Sequence, residues 1–183
     1  MRNVNEPTLA PVRPFLHGRT ETTRTVSPAS AAFVEAMGPC PHKDGKEAEK
    51  RELLRKAVAT HVEYIGAAAK GLGVDRHLLG LALSAEEGEA TPTLFSLPLH
   101  ARAKTWRVST SHLTHPRFDN WGYGEVTPDG VGLAYSIHPD HCMFCITALK
   151  EHDWPERLSE LLEEALLEMQ TLHDPVAAPV SKL

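Results

Sequence analysis

No stretch of this chain stays apolar for the ~20 residues a helix needs to cross a bilayer. Cysteine is scarce: three residues, an odd number, supply no closed disulfide framework, which points to a reducing compartment and to a fold held by its core. Basic residues are also outnumbered. Nineteen Lys and Arg against 24 Asp and Glu leave a formal charge of −5, which argues against a dedicated nucleic-acid binder with its electropositive face. The first residues show neither an arginine-rich amphipathic presequence nor a signal-type apolar core, and no segment repeats.

What is present is enough for one domain: 183 residues, 42% of them hydrophobic. Eleven histidines invite a metal reading, above all in "HPDHCMFC" at 138–145. Strand alternation argues against it, because Cys142 and Cys145 would point to opposite faces of an apolar strand. No metal site is expected. The last residues read "PVSKL", and a terminal Ser181-Lys182-Leu183 is an address read by the peroxisomal import receptor. A peroxisomal location is expected from it, with mitochondrion and cytosol as alternatives.

Three regions follow: an extended segment 1–13 with two prolines, a body 14–173, and a proline-broken, flexible tail 174–183 that leaves Ser-Lys-Leu accessible. Within the body, "TETTRTV" (20–26) is β-branched and extended. Ser27 and Pro28 open a short helix over "PASAAFVEAM". Asp44 and Glu47 mark the start of a long helix with an apolar stripe at Leu54, Val58, His61, Ile65, Ala69 and Leu72, stopped by Gly71 and Gly73. Asp75 caps a third helix, 76–87. The period then changes, and 105–111, 122–126, 131–138 and 142–149 read as strands, the middle pair joined by the tight turn "TPDG". Asp153, Pro155 and Glu156 begin a final helix striped by Leu158, Leu161, Leu162, Ala165, Met169 and Leu172. The order predicts an α/β (α+β) layer with a mixed or antiparallel sheet.

Three places concentrate polar groups: "GRTET" (18–22), "DRH" (75–77) and "STSH" (109–112). In extended segments Thr20 and Thr22 share one face with Glu21 on the other, and Ser109 and Ser111 share a face with Thr110 turned away. Arg76 precedes apolar helix positions, so its guanidinium is expected near the core. Hydroxyl donors beside a permanent cation suit a small, carboxylate-bearing polar ligand, unless Arg76 pairs instead with Glu21.

Taken in order, "GRTETTR", "GLGVDRHLLGL", "STS" and "WGYGEVTPDGVGLAYSI" resemble the choline/carnitine acyltransferase family, in its C-terminal part; "LSELLEEALLEMQTL" fits that family's closing helix. The resemblance implies a coenzyme A-dependent acyltransferase-like fold, here an incomplete C-terminal portion. It implies reversible transfer of an acyl group between coenzyme A, a co-substrate rather than a bound cofactor, and carnitine or choline. A histidine base would act without an acyl-enzyme. Thr20 and Arg76 would recognise the carnitine carboxylate, Ser109 and Ser111 would orient carnitine, and Ser111 would also stabilise the oxyanion. Tyr123 would face the trimethylammonium. Trp121 would limit the acyl pocket to short chains such as acetyl.

The chain also departs from the pattern. No histidine sits in the catalytic motif; His77 and His112 belong to other motifs. The coenzyme A-binding lysines are not found, and Glu6 and Pro7 stand where a carboxylate-binding tyrosine is expected. The chain therefore reads as one wall of a larger active-site tunnel, inactive alone, with an exposed sheet face and poor solubility. A non-catalytic binding or assembly module and a choline-directed relative are the alternative readings.

Overall fold

The β-branched run 19–24 finds a partner immediately upstream. In the computed structural model, which describes residues 7–38, 46–86 and 88–173, β1 (Pro7–Val12) pairs antiparallel with β2 (Arg19–Arg24), Ala10 opposite Glu21 and Val12 opposite Arg19. The segment expected to be merely extended thus forms a hairpin strand, with Ala10 and Val12 buried. Its prolines hid it. In a two-stranded sheet each strand has a free edge, where a missing N–H breaks no ladder.

Ser27 caps α1 (Pro28–Met37) as expected, but its reciprocal partner is Ser30. The Ser30 N–H donates to Ser27 Oγ at 3.1 Å and the Ser27 N–H to Ser30 Oγ at 2.8 Å. Helix α2 (Glu47–Ala69) ends in a Schellman motif: Leu72 N–H reaches Ala67 O, Gly71 N–H reaches Ala68 O, and Gly71 sits at φ +81°. The Asp44 cap lies outside the described residues, as does the 174–183 tail. The inward face of α2 is Lys50, Leu53, Leu54, Ala57 and Ala68, rotated from the expected stripe; Val58 and Leu72 are 54% and 73% exposed. Small alanines let α1 approach closely, and hydrophobicity alone does not select them. Phe33 of α1, Ala57 and Leu172 form the helical core, with Met37, Leu53, Leu54 and Met169 packed on it.

Helix α3 (Val74–Leu83) starts from Gly73 rather than Asp75. Two short helices, α4 (Thr93–Ser96) and α5 (Pro98–Lys104), occupy a stretch with no clear period in the sequence. Strand β3 (Val108–His112) runs parallel to β4 (Val131–Ile137), which runs antiparallel to β5 (Cys142–Thr147), giving a mixed sheet in the order β3-β4-β5. The turn at Thr127–Gly130 closes as expected, with Gly130 N–H on Thr127 O at 2.8 Å.

Residues 122–126, expected as a strand, lie instead as irregular chain across the sheet. A Cβ on Gly122 would meet Cys145 Sγ at 2.8 Å, and one on Gly132 would meet Gly124 O at 2.8 Å. The glycines let two backbones approach face to face, so this segment cannot pair edge to edge. Helix α6 (Trp154–Gln170) carries its proline in the first turn, but Asp153 makes no capping bond. The start is fixed instead by Trp154 stacked on His152, centroids 3.8 Å apart. Leu158, Leu162, Met169 and Leu172 face inward, while Leu161 and Ala165 are exposed. The unpartnered apolar surface belongs to helices (Val62, Leu83, Leu167) more than to the sheet, whose central strand is buried. No described helix is long and apolar enough to cross a membrane.

Burial holds the His61 imidazole on α2 below its ordinary value of 6.5. The unfolded chain therefore takes up this proton first, and the group's contribution to stability is complete above pH 6.5 and lost as pH falls. His61→Gln should flatten the decline of urea-unfolding stability from pH 6.5 towards 5.

Candidate functional site

The first turn of α3 abuts β2, and this junction assembles the Thr20–Arg76 pair. Arg76 lays its side chain along the strand: Nε donates to the Thr20 carbonyl at 2.6 Å and Nη2 to Thr20 Oγ1 at 3.2 Å. The guanidinium is exposed, not rooted in the core as its position before apolar residues suggested. Glu21 does not pair with it. The Glu21 carboxylate, fully buried, accepts the backbone N–H of Arg76 and that of Thr22. Arg76 Nη1 keeps its donors unused among the described residues.

Four residues along the strand from Thr20, Arg24 binds Asp75 through two nitrogens, Nε to Oδ2 at 3.0 Å and Nη2 to Oδ1. Its Nη1 donates to the Ala103 carbonyl at 2.9 Å, and its guanidinium carbon lies 5.9 Å from the centre of the Trp106 ring. Arg24 therefore ties β2, α3 and α5 together. The expected cap, Asp75, serves this ion pair instead. Arg24 did not stand out in the sequence and Asp75 did so only as a cap; the signal, a cation and an acid 51 positions apart, becomes visible only when the two segments meet. Beside the pair lies a cavity of about 350 Å³ whose walls include Thr22, Arg24, Asp75, Arg76, Leu78, Leu79, His100, Lys104 and Trp106.

Ser109 and Ser111 occupy a second place. Strand alternation sets them on one face of β3, where they stand opposite Gly132 and Ala134 of β4. Both are half-buried, and the Ser109 side chain lies within hydrogen-bonding reach of the Tyr123 hydroxyl. The 121–123 loop crosses beside them. Tyr123 Oη donates to the Ser109 carbonyl at 2.6 Å, with the Leu133 carbonyl 3.3 Å away. Burial raises the Tyr123 hydroxyl above its ordinary value of 10.0, so it remains a donor throughout the neutral range. Trp121 Nε1 donates to the Tyr135 carbonyl at 3.3 Å, its ring 5.7 Å from that of Tyr123. Thr147 Oγ1 holds the Tyr123 carbonyl at 2.6 Å.

The six candidate residues thus form two groups, Thr20 with Arg76 and Ser109 with Ser111, Tyr123 and Trp121. No hydrogen bond among the described residues joins them, and the cavity beside Arg76 is not walled by the second group. Of the two histidines in the candidate motifs, His77 is exposed on α3; a third, His100, lines the cavity beside Arg76. His112 is engaged with Thr114 Oγ1 at 2.8 Å and packs on Tyr135.

Asp75→Asn removes the charge facing Arg24 while keeping the shape. With about a fifth of each side chain exposed, the expected loss is about 1–3 kcal/mol, below that of a fully buried pair. Urea denaturation at neutral pH measures it.

A family model described as choline/carnitine O-acyltransferase matches residues 3–164. Carnitine O-acetyltransferase of Columba livia is 38% identical over 177 residues, which cover 95% of this chain and 27% of the relative. The mitochondrial carnitine O-acetyltransferase of Saccharomyces cerevisiae is 39% identical over 130 residues, 70% of this chain and 19% of the relative. Choline O-acetyltransferase of Gallus gallus is 31% identical over 180 residues, 94% of this chain and 27% of the relative. The chain spans about a quarter or less of the length of these relatives.

Proposed function

The chain belongs to the choline/carnitine O-acyltransferase family, and on that premise we propose that it carries the acyl-acceptor side of a carnitine O-acetyltransferase site. The observation that supports this most is the Thr20–Arg76 pair, which leaves Nη1 of a fixed, permanently charged guanidinium available to a carboxylate. Carnitine has that carboxylate and choline does not. A choline complex would leave the Arg76 donors without their anion, which favours carnitine as the acceptor.

In this reading Thr20 and Arg76 take the carnitine carboxylate, and the ring of Tyr123 faces the trimethylammonium. The hydroxyls of Ser109 and Ser111 orient the acceptor. A histidine base removes the proton of the carnitine hydroxyl, whose oxygen attacks the acyl carbonyl of acyl-coenzyme A. Ser111 donates to the tetrahedral oxyanion, and collapse expels the coenzyme A thiolate, which recovers the proton. Trp121 bounds the acyl chain to acetyl or another short group. No histidine of this chain stands in the family's catalytic motif, so we assign the base elsewhere and expect the 183 residues alone to show no turnover. The Ser181-Lys182-Leu183 ending supports delivery to peroxisomes; the mitochondrial relative supports the other destination.

Calorimetric titration of the chain with carnitine tests the acceptor. Arg76→Asn should weaken carnitine by about 10–100-fold, the worth of a hydrogen-bonded charge pair, and leave choline unchanged. Equal loss for both ligands contradicts the carboxylate assignment, and tighter choline than carnitine binding by the unaltered chain favours a choline-directed protein. In a thiol-release assay, carnitine-dependent liberation of coenzyme A from acetyl-coenzyme A should stay at the blank. Turnover would refute the assignment of the base elsewhere.

A further inference from the structure

Glu21 is the one acidic side chain among the described residues that is wholly out of water. A carboxylate in such a place must be matched by donors, or desolvation would drive it out. Its donors are backbone amides: Thr22 N–H at 2.7 Å, and Arg76 N–H at 3.2 Å to each oxygen. Arg76 is the third residue of α3, where a helix has N–H groups without internal partners, and Gly73 at the cap has no side chain to offer. Glu21 supplies the cap from another strand, with the helix dipole favouring its charge. The fit is close, since a Cβ on Gly73 would fall 2.3 Å from Glu21 Cγ.

Adjacent residues of β2 therefore grip the same arginine at both ends. Glu21 holds its main chain, and Thr20 holds its guanidinium. Joining β2 to α3 does not by itself require Glu21, because Arg24 and Asp75 already make that connection. What Glu21 adds is the placement of Arg76. We propose that Glu21 is a positioning residue that sets the Arg76 guanidinium for carboxylate recognition; its ligand consequence rests on the carnitine reading above, its effect on Arg76 does not.

Nuclear magnetic resonance of the full chain separates the two. In the unaltered protein the Arg76 Nε–H should be protected from exchange by its bond to Thr20 O. Glu21→Gln keeps the size and one acceptor but sets an amide NH₂ against the two N–H groups. It should speed Arg76 Nε–H exchange about tenfold or more and bring its shift to that of free arginine, while amides of β4 keep their protection. Gly73→Ala, which displaces the carboxylate without changing charge, should give the same signature and serves if Glu21→Gln does not fold. Carnitine affinity should fall about tenfold in either variant, with choline unaffected. An unchanged Arg76 Nε–H in a folded variant overturns the proposal, as does loss of protection spread equally over β4. If the unaltered chain binds no carnitine while Arg76 Nε–H still responds, the acceptor reading fails and the positioning of Arg76 stands.

Discussion

The candidate site depends on the seam between β2 and the first turn of α3. A helix start leaves N–H groups unpartnered, and a strand passing at right height can answer them with a side chain. Here Glu21 answers from inside the protein, and Thr20 and Arg24 close the seam on the other face through Arg76 and Asp75. Alternation along one six-residue strand thus does two jobs, separating a buried carboxylate from the residues that face the 350 Å³ cavity. The geometry keeps a guanidinium at the surface without letting the nearest acid neutralise it.

The mixed sheet obeys a different constraint, the need for two backbones to touch. Gly132 lets the Gly124 carbonyl approach β4, and Gly122 makes room for Cys145 Sγ of β5. Tyr123 is then locked by its hydroxyl on Ser109 O and by Thr147 on its own carbonyl. These contacts immobilise the loop beside the face of β3 that carries Ser109 and Ser111. Two hydroxyls on one strand face beside a rigid aromatic pair suit the acceptor-orienting role proposed above.

Much of this was legible in residue order. Ser27–Pro28, the Gly71 stop, the Thr127–Gly130 turn and strands β4 and β5 carry local signals strong enough to survive tertiary context. The failures share a cause. Asp75 and Asp153 look like caps, but a distant arginine claims the first, and an aromatic stack fixes the helix beside the second. "GYGEV" has strand composition, yet its glycines serve face packing. The α2 stripe was rotated because alanines, not the larger apolar residues, define the close contact. At the site, residue types were readable, as was the shared face of Ser109 and Ser111; the exposure of Arg76 and the capping role of Glu21 depend on where α3 meets β2.

The central claim is that Thr20 and Arg76 act with Ser109 and Ser111 on one zwitterionic acceptor. Mapping amide and side-chain shifts of the isotopically labelled chain during addition of carnitine tests it most directly. The account predicts that resonances of all four residues, and of Tyr123, move together along one saturation curve. Movement of one group alone, or two groups with separate saturation points, would contradict it.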